Sequence, residues 1–163
     1  VLITGASGGV GRFAARLAVM AGAYVIASVG SLARGEGLGA HEVVVGLGGI
    51  GTPVDVVLDN VGGSQLVAAW QLLAEGGNLQ SIGWTSDEPA IFPPYSTIGP
   101  AKTMTSFINT GPVGADLADL VRLVASGELV VELGWRGPLD RFADAAAALR
   151  TRRVAGKAVL DVS

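Results

Sequence analysis

The stretch Val1-Leu2-Ile3-Thr4-Gly5-Ala6-Ser7-Gly8-Gly9-Val10-Gly11 decides the fold. Three branched apolar residues predict a buried strand, the glycines a tight turn, and residues 12–21 a helix that follows directly. A glycine turn between strand and helix suits a nucleotide for physical reasons. Without Cβ atoms the backbone approaches a pyrophosphate closely, while free N–H groups at the helix start and the helix dipole hold its negative charge. The strict Gly-x-Gly-x-x-Gly register would begin at Ala6, so only Gly8 and Gly11 match it. The strand before and the helix after carry the reading instead, and nominate Ser7, Gly8, Gly9, Val10 and Gly11 as phosphate contacts. The bland alternative is a tight turn with no ligand.

Outward from that turn, apolar periodicity lays out alternating elements. Phe13, Leu17 and Met20 with Ala14, Ala18 and Ala21 form a helical stripe that stops at Gly22. Residues 24–28 predict a second strand. Residues 31–39 predict a short helix weakened by Gly35 and Gly37, each lowering propensity by about 1 kcal/mol relative to Ala. Residues 42–45 predict a third strand, 46–53 a glycine-rich loop, and 54–58 a branched-apolar strand running into Asp59-Asn60-Val61-Gly62-Gly63. Ser64 stands where it would cap the next helix, with Leu66, Trp70 and Leu73 on one face and Gly76-Gly77 as its end. Residues 78–82 predict strand five, closed by Gly83. Residues 84–99 hold three of the seven prolines and predict a long surface loop. Strand six is expected at 103–108, then a helix at 116–126 with Leu117, Leu120, Val121 and Val124 inward and Gly127 as its stop. A strand at 129–133, a helix at 139–150 and a strand at 158–162 complete the chain. Strands alternating with helices imply an α/β fold: a doubly wound parallel sheet of about six strands with helices on both faces, plus a C-terminal strand-helix-strand extension.

At 163 residues, 50% hydrophobic and 15% charged, the chain is long enough to bury a full core. A net charge of −3 and the absence of a clustered Lys/Arg run speak against a nucleic-acid partner. The lack of cysteine excludes disulfides and thiolate metal sites, one histidine leaves little for zinc, and no metal ligand is nominated. Apolar runs break well short of about 18 residues, so no membrane span is expected; with no signal peptide before the first strand, a cytoplasmic location is the expectation. A strand that starts at residue 1 without an initiator Met predicts a piece of a longer protein.

Three segments, Val1 to Gly11, Val54-Asp55-Val56-Val57-Leu58-Asp59-Asn60-Val61-Gly62-Gly63 and Gly156-Lys157-Ala158-Val159-Leu160, together resemble the medium-chain dehydrogenase/reductase superfamily in order and spacing. More narrowly, the chain is similar to the cofactor-binding domain of the quinone oxidoreductase-like and zinc-type alcohol dehydrogenase-like members, over essentially its whole length. The resemblance implies a Rossmann-type NAD(P)-binding domain over residues 1–128. It implies that residues 129–163 pack on a catalytic domain of roughly equal size, which precedes this one in relatives and is missing here. The nicotinamide would lie in the cleft between the two. Deprived of its neighbours, the last strand would expose an apolar edge that pairs differently, swaps or forms a homodimer.

Cofactor choice turns on the end of the second strand, where NAD-preferring relatives place an Asp or Glu for the ribose 2′-hydroxyl. Here the sequence is Ser28-Val29-Gly30-Ser31-Leu32-Ala33-Arg34, with no acid. The Ser31 hydroxyl and the Arg34 guanidinium suit a 2′-phosphate instead, so NADPH is expected over NADH. Arg12, just past the turn, is expected to face phosphate or solvent. By resemblance, the backbone of Asn60, Val61 and Gly62 would touch the nicotinamide ribose. Ser81, Ile82 and Gly83 hold the equivalent edge of strand five, and Phe107 either borders the nicotinamide or joins the core. His41 is expected in a surface loop and Trp70 in the core.

The function implied is hydride transfer between NADPH and an enone, quinone, carbonyl or alcohol held by the missing domain, with the cofactor supplying the chemistry. No residue of this chain is expected to act as acid or base, and the chain alone is expected to be inactive. A non-catalytic dinucleotide-binding or sensor module is the alternative of another class. A short-chain dehydrogenase also fits Thr4 to Gly11 but needs a Tyr followed four residues later by Lys. Here Tyr24 and Tyr95 are followed by Ser28 and Gly99. A methyltransferase is weakened by the missing acid.

Overall fold

A computed structural model describes residues 1–99 and 101–162; the chain divides into two compact units, Val1–Asn109 and Thr110–Ser163. Ser163, within the expected extension, lies outside the described residues. In the first unit, β1 (Leu2–Ile3), α1 (Gly9–Met20), β2 (Ile26–Val29) and β3 (Glu42–Val45) are followed by β4 (Val54–Asp59), α2 (Gly63–Leu72), β5 (Leu73–Ser81) and β6 (Thr103–Ser106). Among the described residues they form one six-stranded sheet in the order β3-β2-β1-β4-β5-β6, every neighbouring pair parallel. The chain builds outward from β1 through β2 to β3, then returns to lay β4 on the other side of β1. That reversal between β1 and β4 is where open parallel sheets take their ligands, outside the carboxyl ends of the strands.

β1 is two residues long, yet it joins both halves of the sheet. Leu2 pairs with Ile26 and Val57, and Ile3 with Ala27 and Leu58. Successive side chains on a strand point to opposite faces, so each enters a different core. Leu2 packs with Val57, Leu66, Trp70 and Leu79 beneath α2, and Ile3 with Ala15, Ala27 and Leu38 beneath α1. Both are fully buried, which stabilises the fold by about 1.5–3 kcal/mol each. The doubly wound parallel sheet with helices on both faces is therefore as expected.

Several boundaries differ from the periodic reading. α1 begins three residues early, at Gly9, because glycines tolerate the first helical turn once Gly8 caps it in extended conformation. The segment expected as a helix over 31–39 holds only a 3₁₀ turn, Leu32–Gly35. α2 ends at Leu72, and Gly62 rather than Ser64 is its N-cap. Leu73 is buried as the first residue of β5, pairing with Val54, before the register shifts so that Val56 pairs with Asn78. Gly76 and Gly77 thus belong to an irregularity within β5 and do not stop the helix. β6 ends at Ser106, two residues early.

In the second unit, α3 (Gly114–Ala125), β7 (Leu133–Pro138), α4 (Phe142–Arg150) and β8 (Lys157–Asp161) follow in order, and β7 pairs with β8 in parallel. The expected strand over 129–133 lies later, and the helix expected from 139 opens as a 3₁₀ turn, Leu139–Arg141. The inward face assigned to α3 does not hold: Leu117 and Val121 are 55% and 59% exposed, Val124 is exposed, and Leu123 is the buried residue. Periodicity marks an apolar stripe but not what covers it. Across β7 and β8, Arg136 donates to both carboxylate oxygens of Asp161 at 2.8–3.1 Å, and this hydrogen bonding lowers the Asp161 carboxyl below its ordinary pKa. No helix among the described residues is long and apolar enough to cross a membrane.

Among the described residues of the first unit, the glycine packed tightest against backbone atoms lies under the glycine turn. A Cβ on Gly11 would stand 2.5 Å from the Gly5 carbonyl oxygen and 2.6 Å from the Ala6 Cα, both backbone atoms that cannot swing aside. Gly11→Ala should therefore lower stability by about 1–3 kcal/mol. A urea midpoint equal to that of the native protein would show that the turn and helix do not approach this closely.

Candidate functional site

The carboxyl ends of β1 and β4 are joined by a polar network in which Thr4 and Asp59 are both fully buried. The Thr4 hydroxyl donates to Asp59 Oδ1, and Asp59 Oδ2 accepts the Gly62 N–H at 2.8 Å. Asn60 closes it from the other side: its N–H donates to Thr4 Oγ1 and its Nδ2 to the Thr4 carbonyl, each at 3.0 Å. A buried carboxylate is costly unless its oxygens find donors, and here a hydroxyl and a helix-initiating N–H supply them. The same residue reaches strand five through its backbone, since the Asp59 carbonyl accepts from Ile82 N–H at 2.8 Å and Gly83 N–H at 3.1 Å. Phe107 N–H donates to Ser81 O, extending the edge to β6.

The turn after β4 is shaped by Gly62, whose φ is +73°. Any Cβ there would meet the Trp84 indole at 2.5 Å. Trp84 is held over the turn by its own Nε1, which donates to Glu88 O at 2.6 Å, while Thr85 donates to Asn60 O and Ser86 N–H to Val61 O. The loop over 84–99 is thereby fastened to the end of β4 next to it.

On the β2 side, Gly8 has no side-chain cap bond, and the first helical hydrogen bond runs from Arg12 N–H to Gly8 O. The N–H groups of Gly9 and Val10 thus belong to the helix turn that has no intrahelical acceptors. Arg34 Nε lies 3.3 Å from Ser7 Oγ, so the 3₁₀ turn after β2 is drawn against the glycine turn. Backbone N–H groups at a helix start and a guanidinium are donors whose chemistry suits an anion.

The structure thus brings Ser7 to Gly11, Arg34 and Asn60 to Gly62 to adjoining strand ends around the β1–β4 reversal. Ser31 is exposed at the start of the 3₁₀ turn, and Ile82 and Gly83 are tied to Asp59. Phe107 is 55% exposed, so it is not a core aromatic. Arg12 does not simply face solvent: it donates to the carbonyls of Ser7, Arg34 and Glu36. Trp70 is buried, its Nε1 donating to Ser96 O, and His41 is exposed, stacked on Tyr24 and accepting from Val25 N–H. A cleft of about 430 Å³ is lined by Tyr24, Ile26, Glu42, Ile50, Pro53 and Asp55, at the amino ends of the strands and so on the opposite edge from these groups. Thr4, Asp59 and Trp84 were not singled out by sequence; an acid closing a strand otherwise branched-apolar apart from Asp55 was the available signal for Asp59.

These features define an α/β domain of the dinucleotide-binding type. Residues 38–160 match the family model described as zinc-binding dehydrogenase, and the chain belongs to that family, within the medium-chain dehydrogenase/reductase superfamily. A curated relative, a probable zinc-binding mitochondrial oxidoreductase of Arthroderma benhamiae, is 32% identical over 113 residues, 69% of this chain and 33% of the relative. A solved NAD-dependent alcohol dehydrogenase is 30% identical with a TM-score of 0.86, covering 99% of this chain and 50% of that one. The quinone oxidoreductase of Coxiella burnetii is 27% identical with a TM-score of 0.81, covering 99% and 52%. The chain therefore spans about half the length of those structures and a third of the curated relative. The family description names zinc, but with one histidine and no cysteine in the chain, and no group of three or more His, Asp or Glu gathered among the described residues, zinc finds no ligand set here.

Thr4→Val keeps the side-chain shape and removes the hydroxyl on which Asp59 and Asn60 meet. The variant should lose about 1–3 kcal/mol of stability, because a buried acceptor and a backbone donor lose their partner together. Amide exchange at Asn60 to Gly62 should accelerate beyond that of β2; equal acceleration everywhere would assign Thr4 to the general core alone.

Proposed function

We propose that the chain is the NADPH-binding domain of a medium-chain oxidoreductase that transfers hydride to a quinone, enone or carbonyl, or works in the alcohol dehydrogenase direction. The observation that carries this is the pairing of an acid-free end of β2 with Arg34 held beside Ser7. An acid at that place would accept from a ribose 2′-hydroxyl and repel a 2′-phosphate. Ser31 and Arg34 offer a hydroxyl and a planar cationic fork instead. The glycine turn takes the pyrophosphate, and Asn60 to Gly62 with Ile82, Gly83 and Phe107 border the nicotinamide end. This chain binds and orients; the cofactor supplies the hydride chemistry, and the substrate is held by a catalytic domain outside these residues.

Residues 129–163 pack on that domain in this reading, the assembled protein acts in the cytoplasm, and pairing of apolar edges gives a homodimer. The 30%-identical alcohol dehydrogenase is named NAD-dependent, and this makes the cofactor preference the decisive test. Calorimetric titration at low salt should give tighter binding of NADPH than NADH. Arg34→Ala should weaken NADPH by about 10- to 100-fold, the worth of a charge-assisted hydrogen bond, and leave NADH within about twofold. Tighter NADH binding by the native protein would overturn the preference. Dinucleotide binding with no redox turnover in the full-length protein would favour a sensor module.

A further inference from the structure

α1 carries Arg12 and Arg16 one turn apart, and both guanidiniums are turned onto the backbone of the segment after β2. Arg12 donates through Nε to Ser7 O at 3.3 Å, through Nη1 to Glu36 O at 3.4 Å and through Nη2 to Arg34 O at 3.4 Å. Arg16 Nη2 donates to Gly37 O at 2.8 Å, and a Cβ on Gly39 would meet its guanidinium at 3.0 Å. The segment they hold has one 3₁₀ turn, Leu32–Gly35, and no α-helix. Its backbone is placed by side chains of a neighbouring helix. A planar fork of five N–H donors can reach carbonyls on both sides at once; a lysine ammonium of the same charge cannot keep that geometry.

We propose that Arg12, backed by Arg16, is a positioning residue that sets the spacing between the glycine turn and the 2′-phosphate contacts, and so determines NADPH over NADH selectivity. The inference rests on the cofactor reading above and names a residue that acts through Arg34 rather than on the ligand. NADH needs only the glycine turn and the strand ends. NADPH must engage the glycine turn and the Ser31–Arg34 segment together, so its affinity depends on how well their separation is fixed before binding. Arg12 bonds to both sides of that gap, to Ser7 O and to Arg34 O. Releasing it leaves the NADH contacts in place and makes the 2′-phosphate contacts wait on an unanchored loop.

The test measures Kd for NADPH and NADH by calorimetry on the full-length protein in native, Arg12→Ala, Arg12→Lys and Arg16→Lys forms. Amide exchange at residues 34–37 is followed in parallel without ligand. The expected result is a fall of about tenfold in the NADPH-to-NADH affinity ratio in both Arg12 variants, with NADH within about twofold and a smaller fall in Arg16→Lys. Exchange at 34–37 should accelerate in Arg12→Lys while the β2 and β4 amides stay as they were. A ratio retained by Arg12→Lys would mean that charge alone matters, and equal weakening of both cofactors would mean a merely structural role; either overturns the proposal, as does unchanged exchange at 34–37. A native protein that prefers NADH overturns the cofactor reading and this inference together, whereas a native NADPH preference that survives both Arg12 substitutions removes this inference and leaves the reading standing.

Discussion

A single buried carboxylate holds the carboxyl-terminal edge of the sheet in shape. Asp59 is fully buried where β4 ends, and each of its oxygens has a donor, the Thr4 hydroxyl on one side and the Gly62 N–H on the other. The first donor comes from the strand that feeds the glycine turn, and the second from the turn that starts α2. One side chain therefore fixes the relative placement of the two loops that flank the reversal of strand order. Its backbone carbonyl adds the end of β5 through Ile82 and Gly83. Remove the side chain, and the ends of β1 and β4 lose their common anchor while the backbone bonds to β5 remain.

The donors at the turn are backbone N–H groups at the start of α1, which bear no titratable charge. The formal charge nearby comes from arginines, whose planar guanidiniums each offer several N–H donors. In a chain of net charge −3, Arg12, Arg16 and Arg34 beside the glycine turn make a local exception. Membership of the zinc-binding dehydrogenase family gives this edge its context, and the chain covers about half the length of the solved relatives.

The sheet and its edge were legible in the sequence because they rest on strong local signals. Largely branched-apolar runs at 1–3 and 54–58 and a glycine turn at the right place gave the switch point, since near-continuous apolar strands are the mark of a parallel sheet covered on both faces. Arg34 was legible from the missing acid after β2. What escaped was non-local. Thr4 meets Asp59 across 55 residues, and no periodicity reports a bond of that span. Trp84 belonged to a loop with no repeat, and only its packing on Gly62 gives it a place. Leu73 followed the helical stripe but fell into β5, because a strand partner at Val54 won over one more turn of α2. The α3 stripe failed for a different reason: Leu117 and Val121 lie on an apolar face that the chain itself leaves exposed.

The measurement that tests the central claim most directly is residue-by-residue mapping of NADPH on the protein by amide chemical shifts. The account predicts perturbations confined to Ser7 to Gly11, the Ser31–Arg34 segment, Asn60 to Gly62, and Ile82 to Gly83 with Phe107, all at the carboxyl ends of the strands. Perturbations centred instead on Tyr24, Ile50 and Pro53, at the amino ends, would contradict it.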